Sequence, residues 1–524
     1  MAGLRRLMTR GAYAVALAAL VCAAMVPAMI PSTAASGKVL KVPQDYPTLA
    51  AAVNAAQPYD FILVGPGTYH EAVRVTTPHL TIRGVDRDKV VFEGNVTDCK
   101  NKPAGAWSSA ITVDGANGVD IGNMTAHNYG NNGFFWDKVT GFRGTFLTAY
   151  QNCEYGIYAF RSTVGEFSHS YASANGDSGF YIGACFDCKS LITDVHAQNN
   201  GLGYSGTNAG GVLIQDSEWD NNMIGMIPNT LPTEDNGPQG GKVGDVLTNN
   251  YVHDNNNAGA PSTFVLAGPV ASPVGYGILI AGGWNNQMIR NKVVNHKHYG
   301  ISLIYLETPT VGNQVEYNDI TLSGDADISW DGVGASNCFQ GNTDNGAPAT
   351  ADPTTLETTN SCGLTGAPVG GSPAVAIRAV LSSTGITDPK VEQAQPAPGP
   401  QSGMPDVCSG APAGCSTAAT EQSSQARVNV APTTQAAPQP AGYSPVQTVG
   451  RLSELGKVPS AAEFRRLFAM ELANIARAQD PIRIADNSPD TNAYLAMALG
   501  LGALFFLVGA VLGFWRGRAR VAAA

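Results

Sequence analysis

Charge is scarce in this sequence. Lys, Arg, Asp and Glu make up 14% of its 524 residues, and the formal net charge is −10. A field of that sign repels nucleic acid, so no nucleic-acid partner is expected, and any polyanion must be met by local basic groups. Long apolar runs at helical spacing are also missing from the middle of the chain. Between residues 119 and 305 each apolar run is only three to five residues long and closed by turn formers, which excludes stacked helical repeats.

Glycine, by contrast, is plentiful at 60 residues, and in this stretch it returns at almost fixed intervals. Gly133, Gly156, Gly179, Gly203, Gly225, Gly277 and Gly300 stand 23, 23, 24, 22, 52 and 23 residues apart. One short strand follows each, and a period of this length marks a solenoid. The long step reads as about two turns plus an insertion, and each unit as one coil of a parallel β-helix. Asparagines crowd ahead of the glycines (Asn131, Asn132, Asn152, Asn175, Asn199, Asn200, Asn221, Asn222), and their tolerance of left-handed backbone suits turns.

Aligning the coils on glycine separates inside from outside by the two-residue period of a strand. The positions one and three after glycine are largely apolar, as in Phe134 and Trp136, Ile157 and Ala159, or Ile301 and Leu303. They are predicted to stack as the core. The position two after reads Phe135, Tyr158, Tyr181, Ser205, Ile227, Leu279 and Ser302 and is predicted to face outward. With neighbouring strands about 4.8 Å apart, Phe135, Tyr158 and Tyr181 form an aromatic strip suited to a sugar face.

Three arginines (Arg5, Arg6, Arg10) precede an uncharged run from Gly11 to Gly37, which predicts a secretory signal over residues 1–36. Export makes the eight cysteines beyond Cys22 a disulfide set. The Cys185-Phe-Asp-Cys188 pair has no second partner pair at zinc-site spacing, so it is read as a bridge. Connectivity stays open, with Cys338–Cys362 and Cys408–Cys415 as candidate local loops. Residues 346–445 are rich in Pro, Ala, Thr, Ser, Gly and Gln and are predicted to be a disordered stalk. A juxtamembrane segment, 446–490, holds a predicted amphipathic helix at 460–479. Residues 493–515 carry no charge, and Arg516, Arg518 and Arg520 follow. That pattern predicts a single transmembrane helix in the cytoplasmic membrane, a cytoplasmic tail at 516–524, and an extracytoplasmic β-helix.

The opening segment Asp60-Phe-Ile-Leu-Val-Gly-Pro-Gly-Thr-Tyr-His-Glu71, together with the glycine-phased coils, resembles right-handed parallel β-helix repeat proteins of the pectate-lyase-like superfamily. That superfamily includes pectin esterases, polygalacturonases, alginate epimerases and NosD-like exported proteins. The resemblance implies an all-β, right-handed parallel β-helix solenoid over 38–345, with the helix-forming run at Ala50–Ala56 capping the first coil. It carries over no activity. Asn342-Thr-Asp344 matches one polygalacturonase signature, but the companion paired aspartates and Gly-His-Gly are absent. The Val-Asp-Phe-Ile-Phe-Gly motif of the esterases and the Asp-Pro-His-Asp motif of the epimerases are absent as well.

Local chemistry supplies the candidates. Asp137 and Arg161 are predicted to meet at one strand end, as a base and cation for a uronic sugar or as a plain surface ion pair. Asp216, Glu218 and Asp220 alternate along a strand-like run, as paired carboxylates, as a Ca²⁺ site, or as solvated charges. His169 and His196 are isolated and read as structural. Two excursions, at 229–241 and 258–273, leave the coils either on the binding face, which adds Asn229 and Glu234 as substrate contacts, or as loops that only screen the coil edge. Two functions compete: a membrane-anchored protein that binds a polysaccharide and acts on it as lyase, hydrolase or epimerase, and a non-catalytic envelope or adhesion rod.

Overall fold

A computed structural model describes residues 37–231, 244–261, 273–306, 308–364, 370–383 and 397–417. The signal, the amphipathic helix, the 493–515 segment and Glu234 lie outside the described residues. Among those described, no helix is long and apolar enough to cross a membrane.

The chain winds into a right-handed parallel β-solenoid of about 13 turns. One face is an 11-stranded parallel sheet running from Val73–Val75 to Ala351–Asp352. The other two faces share a 22-stranded sheet, because strands such as Asp120–His127 and Arg143–Tyr150 continue around the corner between them. Asn123 and Phe146 take positive φ at those bends.

The glycine phase has a steric cause. A Cβ at Gly133 would lie 2.7 Å from the carbonyl oxygen of Gly156, and one at Gly156 would lie 2.6 Å from that of Gly179. Neighbouring coils therefore approach there too closely for any side chain. The asparagines divide the corner between two tasks. Gln151, Ala174, Asn199, Asn221 and Asp254 adopt the left-handed conformation, and the residue after each turns inward. Asn152, Asn175, Asn200, Asn222 and Asn255 thus form a buried ladder, each Nδ2 donating to Oδ1 of the next at 3.0 Å. A second ladder joins Asn250, Asn291, Asn318 and Asn342, and a third joins Asn286, Asn313 and Asn337. Most ladder amides spend their other proton on a backbone carbonyl, which satisfies groups that would otherwise be buried at a cost.

The predicted inward positions are inward. Phe134, Trp136, Ile157, Ala159, Phe180, Ile182, Ile278, Ile280, Ile301 and Leu303 are fully buried. The 52-residue step is corrected: strand Ile224–Asn229 pairs directly with Tyr276–Ala281, so Gly225 and Gly277 sit on adjacent coils. The step is one coil carrying two insertions, and the sheet register leaves no room for a second. The outward column is also corrected at its far end. Ile227 and Leu279 point away from the core yet are buried, in an outer apolar cluster that also takes in Val375 and Ala379 of helix Pro373–Ser383, which packs on strands Tyr299–Ile304 and Ala326–Trp330. Arg378 fixes that helix to Asp325 at 3.0 Å.

The ends are closed. Helix Leu49–Ala55 buries Leu49, Ala52 and Val53 over the first coil, with Thr48 accepting from the Ala51 amide and Glu71 from the amides of Leu49 and Ala50. The far end runs past residue 345 to strand Ala351–Asp352 and the short helix Leu356–Thr359. Disulfides join Cys99 to Cys153, Cys185 to Cys188, Cys338 to Cys362 and Cys408 to Cys415. Residues 397–417, grouped with the stalk on composition, pack against the early coils. Arg87 donates to Thr148 Oγ1 and to the carbonyls of Leu147, His169 and Ser402, Arg83 to the carbonyls of Val407 and Ser409, and the Met404 amide to Asn123. A segment without aromatics cannot build a core, but it can satisfy buried donors on one already built.

Candidate functional site

Three strands of the 11-stranded face build the site: Asn132–Asp137, Ile157–Phe160 and Ser178–Gly183. Their register sets Phe135 beside Tyr158 and Tyr158 beside Tyr181. Phe135 and Tyr158 stack with centroids 4.6 Å apart and planes within 9°. Tyr181 departs from the expected flat strip. Its ring stands at 89° to Tyr158 and is almost wholly buried. The cause is Gly183, where a Cβ would lie 2.5 Å from the Tyr181 ring; its absence lets the ring lie across the next position. Tyr155, from the corner before the strand, completes the cluster at 4.3 Å from Tyr158 and 5.0 Å from Tyr181.

Under these rings lies Asp177. Its backbone amide donates to the Glu154 carbonyl at 2.7 Å, so two acidic residues occupy the same corner of adjacent coils. The Asp177 carboxyl bonds the Tyr155 hydroxyl. Its Oδ1 is buried with no partner among the described residues. Burial pushes the carboxyl up to about 7, the Tyr155 hydroxyl pulls it down, and the Glu154 charge raises it. The Tyr158 hydroxyl is held far above its ordinary range by burial first, then by Tyr181, Asp177, Asp137 and Glu154. A carboxyl that changes charge near neutrality beside half-buried rings can give or take a proton at a bound hydroxyl or ether oxygen.

At the strand end Asp137 and Arg161 meet as the spacing predicts. Arg161 Nε and Nη2 reach Oδ1 at 3.1 and 3.0 Å, and Nη2 reaches Oδ2 at 3.1 Å. The guanidinium lies 4.7 Å over the Phe160 ring, and Lys138 Nζ is 3.6 Å from Asp137. The pair is therefore a charged rim beside the rings. Asn229 lies elsewhere: it is buried and accepts from Thr207 Oγ1 at 2.9 Å. Asp216 does not share a face with Glu218 and Asp220, because it occupies a left-handed corner that breaks the alternation. Exposed His169 stacks on Phe146 and pairs with Asp194, and His196 pairs with Asp220.

Sequence reasoning passed over Tyr155 and Asp177. The signal was present in the 23-residue offset from Glu154 to Asp177, which aligns two carboxylates on the same turn.

Residues 109–347 match a family described as the right handed beta helix region. No curated protein matches the sequence. Similar solved structures include an alginate lyase from Paenibacillus sp., at 14% identity over 53% of this chain and 94% of that one, with a TM-score of 0.38. They also include the A-module of a mannuronan C-5 epimerase from Azotobacter vinelandii, at 14% identity over 58% of this chain and 89% of that one, also with a TM-score of 0.38.

Proposed function

We propose that this chain, a right-handed β-helix by its match over 109–347, binds a polysaccharide across Phe135 and Tyr158, with Tyr155 beside them and the buried Tyr181 backing Tyr158, and exchanges a proton with it through Asp177. The observation that carries this reading is the ring cluster around a carboxyl that has one buried oxygen unpartnered among the described residues. Flat rings pack against sugar faces, and their polar tips seek partners at a wet boundary. The Asp137–Arg161 rim and Lys102, 4.0 Å from Glu154, supply charge for acidic or hydroxyl-rich residues of the chain being bound.

Export and anchoring belong to the same proposal. They rest on the signal-like residues 1–36, the uncharged residues 493–515 with following arginines, and four disulfides suited to an oxidising compartment.

A polysaccharide array scored for binding and for product release tests the function. Tyr158→Ala is expected to weaken glycan binding about tenfold, the equivalent of about 1.4 kcal/mol, with little change in Tm because Ile157 and Ala159 remain packed. Asp177→Asn is expected to abolish product release while binding persists. No bound glycan, or binding unaffected by Tyr158→Ala, refutes the reading. Binding without any product release assigns the non-catalytic version of the same surface.

A further inference from the structure

A second set of outward side chains lies on another face of the solenoid, in strands His196–Gln198, Glu218–Asp220 and Tyr251–His253. Register places His196 beside Glu218, and Gln198 beside Asp220 and then His253. The contacts cross diagonally: His196 Nε2 reaches Asp220 Oδ1 at 2.5 Å, and His253 Nε2 reaches Glu218 Oε1 at 3.1 Å. One nitrogen of His196 and one oxygen each of Glu218 and Asp220 lie within 4.8 Å of one another.

Two of the donors, Asp220 and His253, are oriented from behind. Asp220 Oδ2 accepts from Gln198 Nε2 at 2.9 Å and Asn221 Nδ2 at 2.5 Å, which leaves Oδ1 for the cluster. Gln198 is itself held by the Tyr171 hydroxyl at 2.9 Å. His253 Nδ1 lies 2.7 Å from Asp254 Oδ2, which presents Nε2 to the cluster. Tyr171 packs edge-on against His196, and Tyr251 stacks on His253 at 4.0 Å. Asp220 is 5% exposed and Glu218 44%, so the set is rooted in the coil and open to solvent on one side.

We propose that His196, Glu218, Asp220 and His253 bind one divalent transition-metal ion, with zinc as the best fit. Two imidazole nitrogens and two carboxylate oxygens match such an ion, whereas calcium takes six to eight oxygens. The histidines thus turn a pair of carboxylates that alone suggests calcium into a site for a softer cation. Around a tetrahedral ion at about 2.0–2.1 Å, ligand atoms stand about 3.4 Å apart, so small side-chain rotations bring His196, Glu218 and Asp220 to coordination distance. His253, which lies outside that trio but 3.1 Å from Glu218 Oε1, joins them by a larger rotation. The amide supports behind Asp220 and the Asp254 carboxylate behind His253 are the kind that fix ligand orientation at metal centres. Bound there, the ion ties three successive coils together on a face separate from the ring cluster, and the proposal does not depend on glycan binding.

The test is titration of the untagged, chelator-treated full-length chain with Zn²⁺, Co²⁺ and Ca²⁺, read by calorimetry and by Tm. One Zn²⁺ per chain, a raised Tm, a visible absorption band with Co²⁺ and no competition from Ca²⁺ are expected. His196→Gln and His253→Gln should each weaken Zn²⁺ binding at least about 100-fold, and Asp254→Asn about 10- to 100-fold. Should the ligand variants fold poorly, Asp254→Asn and Gln198→Ala keep all four donors and still give a graded loss of affinity. Absence of saturable Zn²⁺ binding, unchanged affinity in the well-folded variants, or displacement of Zn²⁺ by equimolar Ca²⁺ overturns the proposal.

Discussion

Replacing Asn291 by alanine tests whether the buried ladders hold the coils together. Asn291 is fully buried. Its Oδ1 accepts from the Asn250 backbone amide at 3.1 Å and from Asn250 Nδ2 at 3.0 Å, while its own Nδ2 donates to Leu247 O at 2.9 Å and Asn318 Oδ1 at 3.0 Å. After truncation, Asn250 Nδ2 still reaches Ile214 O and Thr248 O, and Asn318 Oδ1 still accepts from the Asn291 amide. The Asn250 N–H instead faces a gap. A buried orphan costs roughly 1–3 kcal/mol, so truncation predicts a loss of about that size, with the cavity adding in the same direction. Urea unfolding of the full-length chain measures it, with Leu322→Ala, at a site 70% exposed, as the nearby control. Because each coil touches only its neighbours, hydrogen exchange should rise first at the coils of Asn250 and Asn318. A loss below about 1 kcal/mol, or one equal to the control, refutes the ladder as a stabilising device.

Three further outcomes follow from the structure. Asp245 and Asp331 are both buried and raised to about 7, by burial first, against the hydrogen bonds they accept. Since the folded value lies above the ordinary 3.8, their contribution is complete below about pH 4 and is lost as pH rises through about 7; Asp245→Asn should flatten the fall in urea midpoint across that window, and an unchanged slope counts against it. Arg87→Ala removes the donor that holds Ser402 and should open residues 397–417 to limited proteolysis, with protection as in the parent chain the contrary result. Val375→Asp places a charge in the apolar cluster that the 373–383 helix shares with the outer face of the sheet, so that helix should be cut by protease and a hydrophobic dye should bind; neither change would mean the helix is held by Arg378 alone.

What could be read from the sequence was whatever repeats within one coil. The two-residue alternation after each glycine identified the core at Phe134, Ile157, Phe180 and Ile301 without error, because a strand has only two faces. Contacts made between coils were harder. Glu218 pairs with Tyr251, 33 residues on, and through it His253 joins the cluster; the insertions conceal that offset, so no fixed period finds it. Asp216 looked like a third carboxylate because alternation was carried through a corner, where a left-handed residue resets the face. Asn175 and Asn200 were read as turn residues for the conformation that Ala174 and Asn199 adopt, and their own side chains serve the ladder instead. The outer apolar cluster of Ile227 and Leu279 also takes in Val375, from a later segment whose composition announces nothing.

The return of residues 397–417 to the early coils has a mechanical consequence. The chain enters at Val39 and climbs about 50 Å, taking about 11 strands at 4.8 Å, yet by Val407 it is back beside Arg83 and Phe61. Residues 37 and 417 therefore lie at the same end of the rod. Tension applied between them bypasses the stack and is taken up by Arg83, Arg87 and Asn123 in shear against the returning segment. The far coils, with the 373–383 helix, hang free of that load path and keep their register whatever pulls on the ends.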